Sequence, residues 1–258
     1  MKKILLISGL FLILLVFIGC PEDEELPTPN ARIASILEQG EGIRLEWDPV
    51  EGADGYRVRV DDELKYEGTS TYFEWKTPAL KIEVYAYAGD KESTPRVFDF
   101  TPVSRTSQEL WERSAAGNSG YGWNADGTGS SYSLGDAANH SRIDFYLDDF
   151  TAGTVDVSNI YLVSPHHGGF NDTETGFAVE TGGTGNIAPA PGTYDTPRPQ
   201  SPIVSGGTYF LWIDHSNNEW TSDDNFVKIK IISIGNDGKV VFDYWFQKQG
   251  GLRWLKTN

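Results

Sequence analysis

Apolar and polar side chains alternate with period two in one short run after another, the spacing that turns every second residue toward a buried sheet face. Ile43, Leu45 and Trp47 are separated by Arg44 and Glu46, and Tyr56, Val58 and Val60 by Arg57 and Arg59. Tyr72-Phe73-Glu74-Trp75 and residues 82–88 stand on either side of Lys76-Thr77-Pro78-Ala79, and Val97-Phe98-Asp99-Phe100 is closed by Pro102. Short strands with turns every 8 to 12 residues or so are the pattern of a β-sandwich. Further on, residues 142–147, 157–163 and 207–213 predict strands. Val227, Ile229 and Ile231, then Val240, Phe242, Tyr244 and Phe246, recur at period two across Gly235-Asn236-Asp237-Gly238, which predicts a hairpin with strong turn chemistry. From Pro165 to Gly206 the pattern is lost among scattered glycines and prolines, which predicts a long binding or connecting loop. The chain therefore reads as all-β, with one folded unit at 31–102 and a larger antiparallel one at 103–258.

The first nineteen residues follow a different rule. Lys2 and Lys3 precede an apolar run over 4–18 that is interrupted only by Ser8 and Gly9. A bilayer-spanning helix needs about 20 apolar residues, so this run fits a secretory signal better than an anchor helix. Its end, Phe17-Ile18-Gly19-Cys20, resembles the lipobox of bacterial lipoproteins. That resemblance implies cleavage before Cys20 and acylation of the new terminus, with two or more chains each contributing about 0.8 kcal/mol per buried CH₂. Residues 20–30 then form a tether: four consecutive acids repel one another, and Pro21, Pro27 and Pro29 favour extended chain. The acidic run is similar to an export signal that sends some lipoproteins to the cell surface, and equally fits a solvated linker. The expected location is the cell envelope, at the outer membrane.

Composition narrows the partners. A formal net charge of -16 with no basic cluster argues against nucleic acid and against an anionic bilayer surface as ligands. The single cysteine is the one at the lipobox, so the fold stands on its core without disulfides or thiolate metal sites.

Two further resemblances enter on particular residues. The order Leu-Glu-Trp-Asp-Pro-Val, Gly-Tyr-Arg-Val-Arg-Val and Val-Tyr-Ala-Tyr-Ala within 31–102 resembles a fibronectin type III domain. It implies a sandwich with Trp47 and Tyr56 in its core, acting as spacer or interaction module. Tyr-Phe-Leu-Trp from 209, Phe-Val-Lys-Ile-Lys-Ile-Ile-Ser-Ile from 226 and Gly-Lys-Val-Val-Phe-Asp-Tyr-Trp-Phe-Gln from 238 are similar to the closing strands of HmuY-type haem-binding lipoproteins. Members of that family hold haem through paired histidines, but residues 170–206, where those would fall, contain none. The haem ligands are therefore not carried over residue by residue.

Three sets of side chains are candidates for ligand chemistry. His166 and His167, adjacent in a Pro/Gly context, suit metal or haem if they lie in a loop, since neighbours on a strand point to opposite faces. Trp123, Trp212, Trp220 and Trp245 suit a platform for stacking sugars, and sheet cores use tryptophan as well. Asn124, Asp126 and Thr128 alternate oxygen ligands as calcium loops do, without the bidentate Glu that an EF-hand requires. No nucleophile elbow, zinc-binding His-Glu-x-x-His or phosphate loop is present, so the expectation is a non-enzyme. The expected ligands are haem or a related small molecule, with carbohydrate or protein as the alternative.

Overall fold

In a computed structural model the described residues are 25–183, 185–215 and 219–257; the segment expected to be a signal and Cys20 lie outside them. Among the described residues the regular structure is strand apart from two short 3-10 turns, and the strand pairing is antiparallel throughout. The chain is all-β.

The first unit is a sandwich. β1 (Arg32–Leu37), β2 (Gly42–Glu46) and β5 (Tyr72–Trp75) form one sheet in the order β1-β2-β5. β3 (Gly55–Val60), β4 (Glu63–Gly68), β6 (Lys81–Ala88), β7 (Lys91–Glu92) and β8 (Arg96–Asp99) form the other, with β7 and β8 both paired to β6. The alternation sets the faces: Ile43, Leu45 and Trp47 pack against Tyr56, Val58, Val60, Ile82 and Val84. Trp47 meets Tyr56 edge-on at 5.4 Å, and the Tyr56 hydroxyl accepts the Val50 N–H at 2.8 Å. On the outer face Arg57 and Arg59 lie over Tyr87 and Tyr85 and pair with Glu92, so those rings are already covered.

The second unit is a larger sandwich. β9 (Val103–Trp111), β10 (Gly120–Trp123), β11 (Gly129–Tyr132), β12 (Phe145–Asp148) and β13 (Tyr161–Val163) are followed by β14 (Glu174–Val179), β15 (Thr208–Asp214), β16 (Asn225–Ile234) and β17 (Lys239–Phe246). A four-stranded sheet, β11-β10-β12-β13, packs on a five-stranded sheet, β14-β15-β16-β17-β9. Tyr121, Phe145, Leu147 and Leu162 from the first meet Leu211, Ile213, Val227, Ile229 and Phe242 from the second.

The expected hairpin is β16–β17, closed by the Gly235 N–H on the Lys239 carbonyl at 2.7 Å. Gly238 has φ +80°, and a Cβ there would stand 2.8 Å from Val155 Cγ1 and 3.2 Å from Glu112 Cβ. Gly238→Ala is therefore expected to destabilise the fold by about 1–3 kcal/mol, read as a lower denaturation midpoint with an unchanged denaturant slope.

The stretch 165–206 departs from its sequence reading in one place. β14 lies inside it and pairs with β15 along its whole length. Glu174-Thr175-Gly176-Phe177 shows no alternation because Gly176 leaves room for Tyr194, which a Cβ would meet at 2.7 Å. Around Ala188 and Tyr194 the stretch covers the outer face of the five-stranded sheet, where Ala188, Phe210, Trp212, Phe226 and Leu255 form a small second core. Lys228 is buried on this face, donates to the carbonyls of Gly185 and Leu255 at 3.1 and 3.3 Å, and lies 4.7 Å from the Trp245 ring.

The end of the chain returns to the first unit. Leu252 and Trp254 enter its core, with Trp254 fully buried and edge-on to Phe100 at 5.2 Å. The Trp254 indole N–H donates to the Glu41 carbonyl at 2.7 Å, and the Arg253 N–H to that of Gly40 at 3.0 Å. Gln247 donates to the carbonyls of both Phe100 and Trp254, and Lys256 pairs with Asp61 at 2.5 Å.

Candidate functional site

One end of the second sandwich collects most of the chemistry. It is built by the end of β9 and residues 112–114, the 3-10 turn Ala137–Arg142, the loop 149–160 between β12 and β13, the turn 165–170, and Arg198. Residues 165–170 coil because successive amides bond back: the N–H groups of His167 and Gly168 donate to Ser164 and Pro165 carbonyls, and that of Gly169 to His166. This loop setting leaves both His166 and His167 exposed.

His167 lies edge-on to Phe150 at 6.2 Å, and Phe150 is 46 % exposed. The Arg198 guanidinium sits 4.8 Å from the Phe150 ring and 4.0 Å from the Tyr161 ring. A second group of the same composition stands beside it: His140 edge-on to Phe170 at 4.8 Å, with Arg113 5.6 Å from that ring. His140 also bonds the Leu134 carbonyl through Nε2, and Asn171 donates to the carbonyls of His140 and Ile143. A cleft of about 420 Å³ is lined by Arg113, Ser114, Asp148, Phe150, Thr151 and Ala152. The sequence pattern marked His166 and His167. It did not mark His140, Arg113 or Arg198, which reach this end only through contacts between segments far apart in the chain.

Beneath the cleft, Glu112, Asp148 and Asp149 are buried and offer oxygens within 4.8 Å of one another. Glu112 Oε2 accepts the Ser114 N–H at 2.7 Å, while Oε1 is buried without a hydrogen bond. Burial raises the Glu112 pKa, the charges on Asp149 and Asp148 add to the rise, and the Ser114 and Asp149 amides oppose it. Asp148 accepts the Phe150 N–H and an Arg113 N–H at 2.8 and 3.2 Å; Asp149 accepts the N–H groups of Thr151 and Asp156. At the other end of β12, Asp144 accepts the Trp123 N–H at 2.8 Å, and burial pushes its pKa up to about 7.

The other marked residues lie elsewhere. Trp123 is wedged against Tyr121, Phe145, Tyr244 and Phe246 in the main core, with ring centroids 5.2 to 6.0 Å away. Trp212 is buried on the opposite side of the five-stranded sheet and donates to Asp224 at 2.9 Å. Trp220 packs at the edge of the same small core and donates to the Gly251 carbonyl at 3.0 Å. Trp245 has Lys228 against its ring. The four tryptophans thus share no common open face, because the two sides of one sheet separate them. Asn124, Asp126 and Thr128 form the β10–β11 turn, closed by the Asn124 N–H on the Thr128 carbonyl at 3.0 Å. The Thr128 N–H donates to Asp126 at 2.8 Å and holds its pKa below the usual carboxylate range.

No family model and no curated protein matches the sequence. Among solved structures, a β-glucuronidase from glycoside hydrolase family 2 is similar at TM-score 0.22 and 15% identity. The likeness extends over 90% of this chain and 22% of the enzyme, so the chain spans less than a quarter of that protein's length. A similarity this loose carries no inference about activity.

Proposed function

We propose that this chain is a non-catalytic, lipid-anchored binding protein of the cell envelope, whose ligand is met at the loop end of the second sandwich. Haem is the ligand that the chemistry there favours. The observation that carries this reading is the gathering of three histidines, the phenyl rings of Phe150 and Phe170, and two guanidiniums at one end of a chain of net charge -16. Imidazole nitrogen ligates iron, phenyl faces stack on a flat macrocycle, and Arg113 and Arg198 suit its two propionate carboxylates. The lipobox and the acidic tether supply the anchor and the stand-off. The three-stranded sheet of the first sandwich, facing a second sheet in which β7 and β8 pair successive parts of β6, supports its reading as a fibronectin type III-like spacer.

Titration of the mature chain with haemin tests this. A saturable Soret band is expected, lost in a His166→Ala/His167→Ala double variant and weakened by Arg198→Ala; no spectral change in the parent removes haem. The exposed Phe150 flanked by Arg198 and Tyr161 also has the aromatic and arginine composition of protein-contact hot spots. A protein or carbohydrate partner is the second reading, and it predicts binding that is lost in Phe150→Ala with no Soret band at any haemin concentration.

A further inference from the structure

The three carboxylates beneath the cleft have an unusual balance. Glu112 has 0 % relative exposure, Asp149 1 % and Asp148 6 %, yet their oxygens converge within 4.8 Å. Like charges at such distances repel by several kcal/mol per pair at an effective protein dielectric of about 20. Neutralisation from protein groups is thin: Arg113 touches only Asp148, at 3.2 Å, and its side chain is 50 % exposed. Glu112 Oε1 is buried without a hydrogen bond of normal geometry, and the protein donors to this carboxylate are the Ser114 amide on Oε2 and a more loosely placed Asp149 amide, although a buried carboxylate oxygen normally finds a well-aligned donor. The backbone amides of Ser114, Phe150, Thr151 and Asp156 hold Glu112 Oε2, Asp148 Oδ1 and both Asp149 oxygens, and Arg113 holds Asp148 Oδ2, which fixes the orientation of the three groups.

We infer that Glu112, Asp148 and Asp149 form a binding site for a divalent cation of the calcium class. An all-oxygen, all-carboxylate donor set selects hard cations over zinc, copper or iron, and the set contains no nitrogen or sulfur. Calcium is favoured over magnesium because it accepts irregular geometry and six to eight oxygens. Asp148 also lines the cleft, which gives the ion a way in and admits water to complete its shell. The bound ion supplies the partner that Oε1 lacks and tethers the end of β9 to the start of loop 149–160. Arg113 competes with it for Asp148. The alternative occupant is a proton on Glu112, and the two occupants make opposite predictions. The site does not depend on whether the loop end above it binds haem.

The test is calorimetric titration of the chelator-stripped mature chain with CaCl₂ at pH 7.5, paired with thermal melts in calcium, magnesium or chelator. One bound calcium is expected, with a higher melting midpoint in calcium than in magnesium. Glu112→Gln should weaken binding about tenfold or more, while Asp126→Asn, in the β10–β11 turn, should leave it unchanged. Should Glu112→Gln fail to fold, Arg113→Ala decides, because removing the competing guanidinium must tighten calcium binding. Absence of heat and of any calcium-dependent melting shift up to about 1 mM, the weak limit for extracellular calcium modules, overturns the site. Loss of binding in Asp126→Asn, or Arg113→Ala binding no tighter than the parent, overturns it too.

Discussion

Replacing Trp254 with alanine is expected to cost about 3 to 5 kcal/mol and to separate one unfolding transition into two. The magnitude is that of deleting a large, fully buried aromatic side chain whose surroundings relax only in part. The separation follows from where the ring sits. Trp254 belongs by sequence to the second unit and by packing to the first, where it meets Phe100 and bonds the Glu41 carbonyl. Gln247 bridges the same junction by donating to Phe100 and Trp254. With the ring gone, the first sandwich loses the floor of its core, and the hold of the second on the first falls to Leu252, the Gln247 and Arg253 hydrogen bonds and the Lys256–Asp61 pair. Denaturant unfolding followed by far-UV circular dichroism and by tryptophan fluorescence should be coincident in the parent chain and divergent in Trp254→Ala. Coincident curves in the variant, or a loss below about 1 kcal/mol, would show that the tail merely rests on the surface.

The second large effect concerns Asp144 and has a sign that runs against acid denaturation. Its carboxyl group titrates near 7 in the folded chain and at an ordinary 3.8 when unfolded. Between those values the folded state holds a proton that the unfolded state has lost, so this group's contribution falls as pH rises from about 4 to about 7 and is level above that. At about 1.4 kcal/mol per pH unit, the interval sets an upper bound of about 4 kcal/mol. Asp144→Asn keeps an oxygen to accept the Trp123 N–H and removes the charge. The variant is expected to be about 2–4 kcal/mol more stable than the parent at pH 8, with the two converging near pH 4. A variant no more stable at pH 8 would mean that the carboxylate is paid for by solvent or by an ion.

How far the sequence reached depends on the range of the interactions. Period-two runs such as Ile43-Leu45-Trp47 and Val240-Phe242-Tyr244-Phe246 face the cores because the strand period is local and has a single solution once one side is dry. The same reasoning sets Trp245 out of phase with its buried neighbours, and it lies against Lys228 on the other face. β9 was illegible for a physical reason: it is an edge strand, so Val103-Ser104-Arg105-Thr106-Ser107 can be polar and still pair with β17. β14 was hidden by a glycine that makes room for a ring from elsewhere in the chain.

Sites depend still more on distant contacts. Adjacent histidines at 166 and 167 stand out in any reading, whereas His140 joins them only because Phe170 folds back on it. Glu112 and the pair Asp148-Asp149 are separated by 35 residues or more and by two strands, β10 and β11. In a chain with 37 acidic residues nothing about their spacing sets them apart. Their burial does, and burial is a property of the assembled sandwich.

The return of the last residues to the first sandwich removes a swivel. A single strand passing from one body to the next would let the second spin about its connection and sample every azimuth. Here polypeptide crosses the junction twice, once near residue 102 and once near 252. Torque on the second body is therefore resisted at both crossings, and its loops are held at an angle set by the first sandwich.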